Sequence, residues 1–124
     1  MLAICIGASV GALGRWGLGL WLSPSGAIIP WGTLVANLAG GYLIGICVVV
    51  FQGIPQLDPV WRLALVTGFL GGLTTFSSFS AEVVNLLMQQ RYLLALGTAG
   101  VHVAGSLLLT VAGIWTANHW LTPA

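Results

Sequence analysis

The sequence predicts an all-α integral membrane protein with four transmembrane helices, and three observations support this fold class. Of the 124 residues, 58% are hydrophobic and only 4% are charged, so the charged surface of a soluble domain cannot be built from this chain. The mean hydropathy of +1.04 lies in the range of membrane proteins. Four apolar windows are each long enough to cross a bilayer, which requires about 20 residues.

We expect these windows to form a single membrane domain over residues 1–124, with helices over 2–22, 31–51, 62–89 and 92–118. Loops with proline and glycine separate the first three helices at residues 23–26 and 52–59, and a tight turn follows at 89–91. The first window lacks a basic segment before it and contains several glycines, which favours a retained helix over a signal peptide. Tryptophans fall near the predicted helix ends, where a lipid headgroup belt is expected: Trp21, Trp31, Trp61, Trp115 and Trp120.

The composition also argues against several function classes. The formal net charge is +1, and the sequence lacks the basic patch that nucleic-acid binding requires. Cys5 and Cys47 both lie in apolar runs, so we expect buried packing thiols rather than a disulfide or a metal pair. The sequence contains no Ser-His-Asp set, metal-ligand cluster, nucleotide-binding loop or pair of catalytic carboxylates, and we therefore expect a protein that is not an enzyme.

The few positive charges are distributed almost evenly between the two predicted membrane faces. With the N-terminus on one side, Arg62 lies on that side, whereas Arg15 and Arg91 lie toward the other. The positive-inside rule then has little to act on. We therefore expect insertion in both orientations and assembly into an antiparallel, dual-topology homodimer. The alternative is a single orientation set by a small charge excess.

Pairs of glycines four residues apart predict close contacts between helices. Gly7 and Gly11 form such a pair in helix 1, and Gly41 and Gly45 form another in helix 2. Four short helices are too few to surround a wide aqueous path, so we expect the function to lie at a subunit interface. The glycine faces can serve that interface, or they can serve packing within one subunit.

The third window contains an unusual polar run near its middle. Residues 71–80 read GGLTTFSSFS, which predicts a helix break from Gly71 to Thr74. An intact helix with a small packing face is the alternative. Broken backbone at membrane depth must be buried in protein or line a cavity. Free carbonyls at the end of the first half-helix suit a hard cation, and in a symmetric dimer two such breaks would meet on the axis.

Two helices carry polar side chains at four-residue spacing. Helix 2 has Thr33 and Asn37 on the face of the second glycine pair, and the Asn37 carboxamide either lines an ion path or joins helices by hydrogen bonds. On helix 4 the polar residues are Thr98, His102, Ser106 and Thr110. Their hydroxyls can line a path or bond to their own helix. For His102, a neutral and hydrogen-bonded ring is favoured over a titrating gate.

Two aromatic and two ionisable residues complete the set of candidates. Phe76 and Phe79 are three residues apart and share a face just after the predicted break. Their ring edges carry partial positive charge and can contact an anion weakly, although a phenylalanine pair is ordinarily core. Arg15 and Glu82 both fall toward one membrane face, where they can pair, or Arg15 can attract anions at a vestibule.

The chain resembles the Fluc/CrcB fluoride channel family over essentially its whole length. The matching segments are residues 7–15 (GASVGALGR), 32–40 (GTLVANLAG) and 71–80 (GGLTTFSSFS). The resemblance implies a dual-topology homodimer with two fluoride pores and a central structural sodium ion. It also implies passive export of cytoplasmic fluoride across the bacterial cell inner (plasma) membrane, with fluoride, sodium, the lipid bilayer and a second copy of the chain as partners.

The resemblance also assigns roles to residues of this sequence. Asn37, Phe76 and Phe79 match the pore asparagine and the paired pore phenylalanines of the family. Gly71 and Thr74 match the positions whose backbone carbonyls hold sodium. Arg15 matches the arginine of helix 1. The hydroxyl groups that can replace the water around fluoride are those of Thr33, Ser78, Ser106 and Thr110.

Two other functions compete with this interpretation. A small multidrug-type proton-coupled exporter is also short, four-helical and dual-topology, but it needs an acid embedded in helix 1, where this chain has Arg15. A non-transporting subunit of a larger membrane complex would use the glycine faces only for assembly. That second function leaves the break and the polar stripes without an explanation.

Overall fold

The computed structural model describes residues 1–22 and 31–121, and the predicted loop at 23–26 lies outside the described residues. Helix α1 covers Leu2–Leu22 and α2 covers Trp31–Gly53. Helix α3 is continuous over residues 59–73 and consists of an α-turn Pro59–Arg62, a π-helical stretch Leu63–Leu70 and a last turn Gly71–Leu73. Helix α4 covers Phe76–Met88, and α5 covers Tyr92–Thr116 and continues as a π-helical turn, Ala117–Leu121.

Within the part of the chain that the structure describes, four spans are long and apolar enough to cross a membrane, as the sequence predicted. They are Leu2–Leu22, Trp31–Gly53, Pro59–Met88 and Tyr92–Trp120, where the third combines α3 and α4. The third span begins earlier than predicted because the Asp58 carboxylate accepts a hydrogen bond from Val60 N at 3.0 Å and Pro59 occupies the first helical position. Residues before the predicted start at 62 are therefore already helical.

The turn between α4 and α5 is closed by two backbone hydrogen bonds. Arg91 N donates to Leu86 O at 2.9 Å and Gln90 N donates to Leu87 O at 3.0 Å. Gln90 has a φ of 61°, the left-handed conformation that ends many helices in this pattern. The last two helices therefore run antiparallel with a very short connection.

Glycines set the close contacts within the subunit. A Cβ atom built at Gly11 of α1 would lie 2.8 Å from Leu73 N, and one built at Gly41 of α2 would lie 2.9 Å from Ser106 O. The glycine faces of α1 and α2 therefore pack on α3 and on α5, so both predicted glycine pairs serve packing inside one subunit. Cys5 and Cys47 are free, as expected, but Cys5 is exposed on α1 and not buried as the sequence suggested.

Replacing Gly113 with alanine should destabilise the subunit. A Cβ atom at this position of α5 would lie 3.1 Å from Ile46 N and closer still to the carbonyl oxygen of Tyr42, so α2 and α5 must separate. Overpacking of this kind costs about 1–3 kcal/mol. Thermal unfolding in detergent measures the loss.

Gly100→Ala is the matched control on the same helix. A Cβ atom there would meet no atom of residues 1–22 or 31–121 within 4 Å, and alanine is the better helix former by about 1 kcal/mol. Equal unfolding temperatures for the two variants would show that the α2–α5 contact is not tight.

The helix break lies at Thr74 and Thr75, so the prediction that it begins at Gly71 is wrong by three positions. Gly71 is helical, with φ −62° and ψ −36°. Thr74 has φ −85° and ψ 154°, and Thr75 has φ −150° and ψ 119°. The glycine pair has a different use, because a Cβ atom at Gly72 would lie 2.5 Å from Ala8 O of α1. Glycine is needed there for close packing and not for backbone freedom.

Candidate functional site: a polar groove at the helix break

Two threonines cap the half-helices at the break. Thr74 N and Thr74 Oγ1 both donate to Leu70 O, at 2.9 Å and 2.8 Å, and end α3. Thr75 Oγ1 accepts from Ser78 N at 3.1 Å and caps the start of α4. A threonine at this position satisfies a backbone donor that the helix itself cannot. The break is therefore an ordered feature with its own hydrogen bonds.

The carboxamide of Asn37 bridges the break from α2. Its Oδ1 accepts from Thr75 N at 2.8 Å, and its Nδ2 donates to Thr75 O at 3.1 Å. One side chain thus satisfies both backbone groups of an extended residue in the middle of a membrane span, where an unsatisfied group costs several kcal/mol. The sequence left two roles open for Asn37, and the structure shows that it joins helices.

A third contact of the same carboxamide reaches α5. Asn37 Nδ2 lies 3.1 Å from Nδ1 of His102, a residue that is only 5% exposed. The His102 ring lies 4.5 Å from that of Phe79, tilted by 37°. Phe79 in turn meets Phe76 edge to face at 5.6 Å. Polar and aromatic groups from three spans therefore form one continuous cluster around the break.

This cluster lines a groove of about 450 Å³ in the middle of the third span. The groove opens toward the outside of the subunit, where the Phe76 side chain is 78% exposed. The structure brings many of the predicted site residues to its wall: Asn37, Gly71, Thr74, Phe76, Phe79 and Ser106. Thr75 and His102 also line it, and neither was assigned to the site from the sequence.

Other predicted pore residues lie outside this groove wall. Thr110 Oγ1 donates to Gly41 O at 2.8 Å and to Ser106 O at 2.9 Å, so its hydroxyl joins α5 to α2. Thr33 lies beside the carboxyl group of Glu82, whose Oε1 is buried without a hydrogen-bond partner among the described residues. Ser78 is half-buried in the first turn of α4.

Arg15, predicted at a vestibule, lies at the end of α3. Its Nε donates to Gly72 O at 3.2 Å, and no salt bridge joins it to Glu82 in the described structure. A guanidinium group in this position places positive charge at the negative end of a helix dipole. Arg15 therefore stabilises the end of α3, and it remains half-exposed beside the break.

Two backbone carbonyls at the break have lost their usual helical donors. Thr75 N, which would reach back to Gly71 O in a continuous helix, donates to Asn37 instead. Ser78 N, which would reach Thr74 O, donates to the Thr75 hydroxyl. Gly71 and Thr74 both line the groove. Their carbonyl oxygens are suitable ligands for a hard monovalent cation.

Backbone oxygens are the ligands available for such a cation. Among residues 1–22 and 31–121, no group of three or more His, Cys, Asp and Glu side chains could hold a metal ion. The freed carbonyls of Gly71 and Thr74 thus fit the sodium site that the resemblance implies.

The contact between Asn37 and His102 is the feature that sequence reasoning missed. The two residues are 65 positions apart, and His102 was recognised only as a member of a polar stripe. His102 is buried and has a hydrogen-bond partner, as expected. For Thr75 a local signal existed, because threonine is a preferred N-cap residue directly before the first residue of a helix.

Comparisons with known proteins agree with the resemblance. Residues 2–114 match the family described as "CrcB-like protein, Camphor Resistance (CrcB)". A protein of Albidiferax ferrireducens named "Fluoride-specific ion channel FluC" is 77% identical over 118 residues, which cover 95% of this chain and 90% of the relative. Proteins with the same name from Paracidovorax citrulli and Variovorax paradoxus are 62% and 65% identical, over 95% and 92% of this chain and 93% and 90% of their own lengths. The chain is therefore a member of the CrcB family of multi-pass membrane proteins.

Proposed function

We propose that the chain is a fluoride-specific ion channel that exports cytoplasmic fluoride passively. The observation that carries the proposal is the groove, where Asn37, Phe76 and Phe79 meet at a helix break in the middle of a membrane span. The relatives, up to 77% identical, carry the name of a fluoride-specific channel. We place the protein in the bacterial cell inner membrane as a single four-helix domain.

Fluoride is small and strongly hydrated, so a narrow pore must replace its water with hydrogen-bond donors. Ser106 and Asn37, which both carry hydrogen-bond donors, line the groove. The N-terminal end of α4 also begins there and carries partial positive charge. We also assign supporting roles as hydroxyl donors to Thr33, Ser78 and Thr110. These residues lie outside the groove wall, and they would contact fluoride where a partner subunit extends the fluoride path beyond the groove.

Fluoride must compete with acceptors of the protein for the N–H groups of Asn37. Both of its N–H groups are engaged, one by Thr75 O and one by His102 Nδ1. A passing fluoride must displace one of these acceptors, and the acceptor returns when the ion leaves. Such exchange keeps binding weak enough for conduction. The edges of the phenyl rings add a further weak contact and exclude water.

A second copy of the chain is needed to cover the groove. Polar groups and broken backbone cannot face lipid at membrane depth, yet the groove is open on the subunit surface and Phe76 is 78% exposed. We propose an antiparallel homodimer in which the two breaks face one another. The near-balance of Arg15, Arg62 and Arg91 supports insertion in both orientations.

Sodium would bind between the two breaks. The carbonyl oxygens of Gly71 and Thr74 would hold it, and it would supply structural positive charge where those oxygens otherwise lack donors. Arg15 already places one positive charge at this end of α3 through Gly72 O. We assign it a second role in attracting anions to the vestibule.

Fluoride efflux from liposomes tests the proposed channel. Purified protein in vesicles loaded with potassium fluoride, with sodium present on both sides, should release fluoride when valinomycin carries the compensating charge, without any proton gradient. Release of chloride under the same conditions should be much slower. No fluoride release, or release that requires a proton gradient, would contradict a passive fluoride channel. The proton-coupled exporter is not supported, because α1 contains no acid and the relatives are named as channels.

Dual topology has its own test. Antibody applied to intact inverted and right-side-out vesicles should reach a C-terminal epitope tag on both membrane faces, in comparable amounts. Adding two lysines to the turn after α4, which holds Arg91, should shift the labelling toward one face, since it unbalances the charge. Labelling on one face for the unaltered protein would rule out the antiparallel dimer.

A further inference from the structure

The hydrogen bonds around Asn37 fix the proton positions on His102. The Asn37 Oδ1 accepts from Thr75 N, so the Nδ2 group is the one that faces His102. If the carboxamide were turned the other way, its NH₂ group would face the Thr75 N–H donor and its oxygen would face the Thr75 O acceptor. Neither contact could then be a hydrogen bond. Since Nδ2 can only donate, Nδ1 of His102 must accept and carries no proton. A neutral ring then carries its proton on Nε2.

His102 is built into this position from two sides. Its ring is 5% exposed, and the Phe79 ring lies 4.5 Å away. The imidazole therefore has little freedom to turn away from Asn37. In the opposite tautomer, an N–H on Nδ1 would point at the NH₂ group of Asn37, and neither that N–H nor the second N–H of Asn37 would have an acceptor there.

We propose that His102 is a positioning residue for Asn37. In the Nε2–H tautomer it holds the second amide N–H of Asn37 and so sets how readily that N–H is given to an anion in the groove. The inference rests on the proposed fluoride channel for its effect on flux, but the tautomer itself does not depend on that function.

The mechanism requires an acceptor of moderate strength at the Nδ1 position. Without one, the second N–H of Asn37 is an unpartnered donor at membrane depth. One consequence is that this N–H binds fluoride without a competing acceptor, so that the ion leaves slowly. The other is that the carboxamide rotates away from Thr75 to find another acceptor, which disturbs the break. Both consequences lower the flux.

The tautomer can be measured with His102 and its surroundings unaltered. The chain contains two histidines, and His119→Gln, near the end of the chain, leaves His102 as the one observed ring. Nitrogen-15 NMR of histidine-labelled protein in lipid should show an unprotonated Nδ1 and a protonated Nε2. A protonated Nδ1 at neutral pH would overturn the proposal whatever the protein transports.

Two substitutions test the consequence for transport. His102→Asn places a side-chain oxygen near the position of Nδ1 and should keep fluoride flux within about three-fold of the original. His102→Leu removes the acceptor and should lower flux about ten-fold or more, since an unmet buried hydrogen bond has an effect of that order. Unchanged flux in the leucine variant, or equal loss in both variants, would overturn the positioning role. No fluoride flux in the unaltered protein would refute the channel instead, and the NMR measurement would still decide the contact.

Discussion

Phe79→Ile is expected to lower fluoride flux at least about ten-fold, the change produced by roughly 1.4 kcal/mol in the barrier, while the protein still folds and assembles. Phe79 lies between His102 and Phe76 in the groove, with ring centroids 4.5 Å and 5.6 Å away. Isoleucine keeps apolar volume but lacks the ring quadrupole whose positive edge can contact an anion. Phe76→Ile should have the same effect. Fluoride efflux from liposomes measures the loss, and size-exclusion chromatography measures assembly.

The matched control for this substitution is Phe69→Ile. Phe69 lies on α3 and packs against the buried cluster of Ala36, Leu70 and Leu73, and it does not line the groove. Its replacement should alter thermal stability more than flux. Unchanged flux in both groove variants would show that Phe76 and Phe79 are packing residues.

Removal of sodium from both sides of the membrane is expected to reduce or abolish the fluoride current. The carbonyl oxygens of Gly71 and Thr74 lost their helical donors to Asn37 and to Thr75. Without a cation between two facing breaks, these oxygens would be buried together without partners. Positive charge near the fluoride path would also be lost. Current recorded with N-methyl-D-glucamine in place of sodium measures the effect, and sodium added back should restore it.

Gly71→Val examines the same place by mutation. Among the described residues, a Cβ atom at Gly71 would meet only Val66 O of its own helix, at 3.8 Å, so one subunit alone has room for the added Cβ. A loss of current without a loss of thermal stability would then be assigned to the partner or to the cation between the subunits. Gly14→Ala, where the nearest atom is Leu73 Cδ1 at 3.8 Å, is the control. Full current without sodium, together with an unaffected Gly71→Val variant, would defeat the sodium proposal and leave the groove assignment in place.

The spans themselves were determined by the sequence. Bilayer thickness demands about 20 apolar residues per crossing, and four such stretches lie between loops that proline and glycine mark. The four-residue spacing of Thr33 and Asn37 likewise places both side chains on one face of α2. These are local properties, because they depend on residues that are neighbours along one helix.

The exact place of the break depended on the tertiary structure. The pair Gly71 and Gly72 indicated a break, yet both residues are helical. The absence of a side chain at Gly72 instead allows close contact with Ala8 of α1. The backbone opens at Thr75, where Asn37 supplies the hydrogen bonds that the helix gives up. A sequence pattern cannot show this, because the partner is 38 residues away.

The same reason explains the rest of the site. Thr110 belongs to a polar stripe in the sequence, but in the structure its hydroxyl is held by Gly41 O. His102 belongs to the same stripe and is the residue that reaches Asn37. Helical periodicity fixes which side chains share a face, since it is set by the backbone of one helix. Which of them meets a partner depends on how the spans pack, and only the tertiary structure decided that.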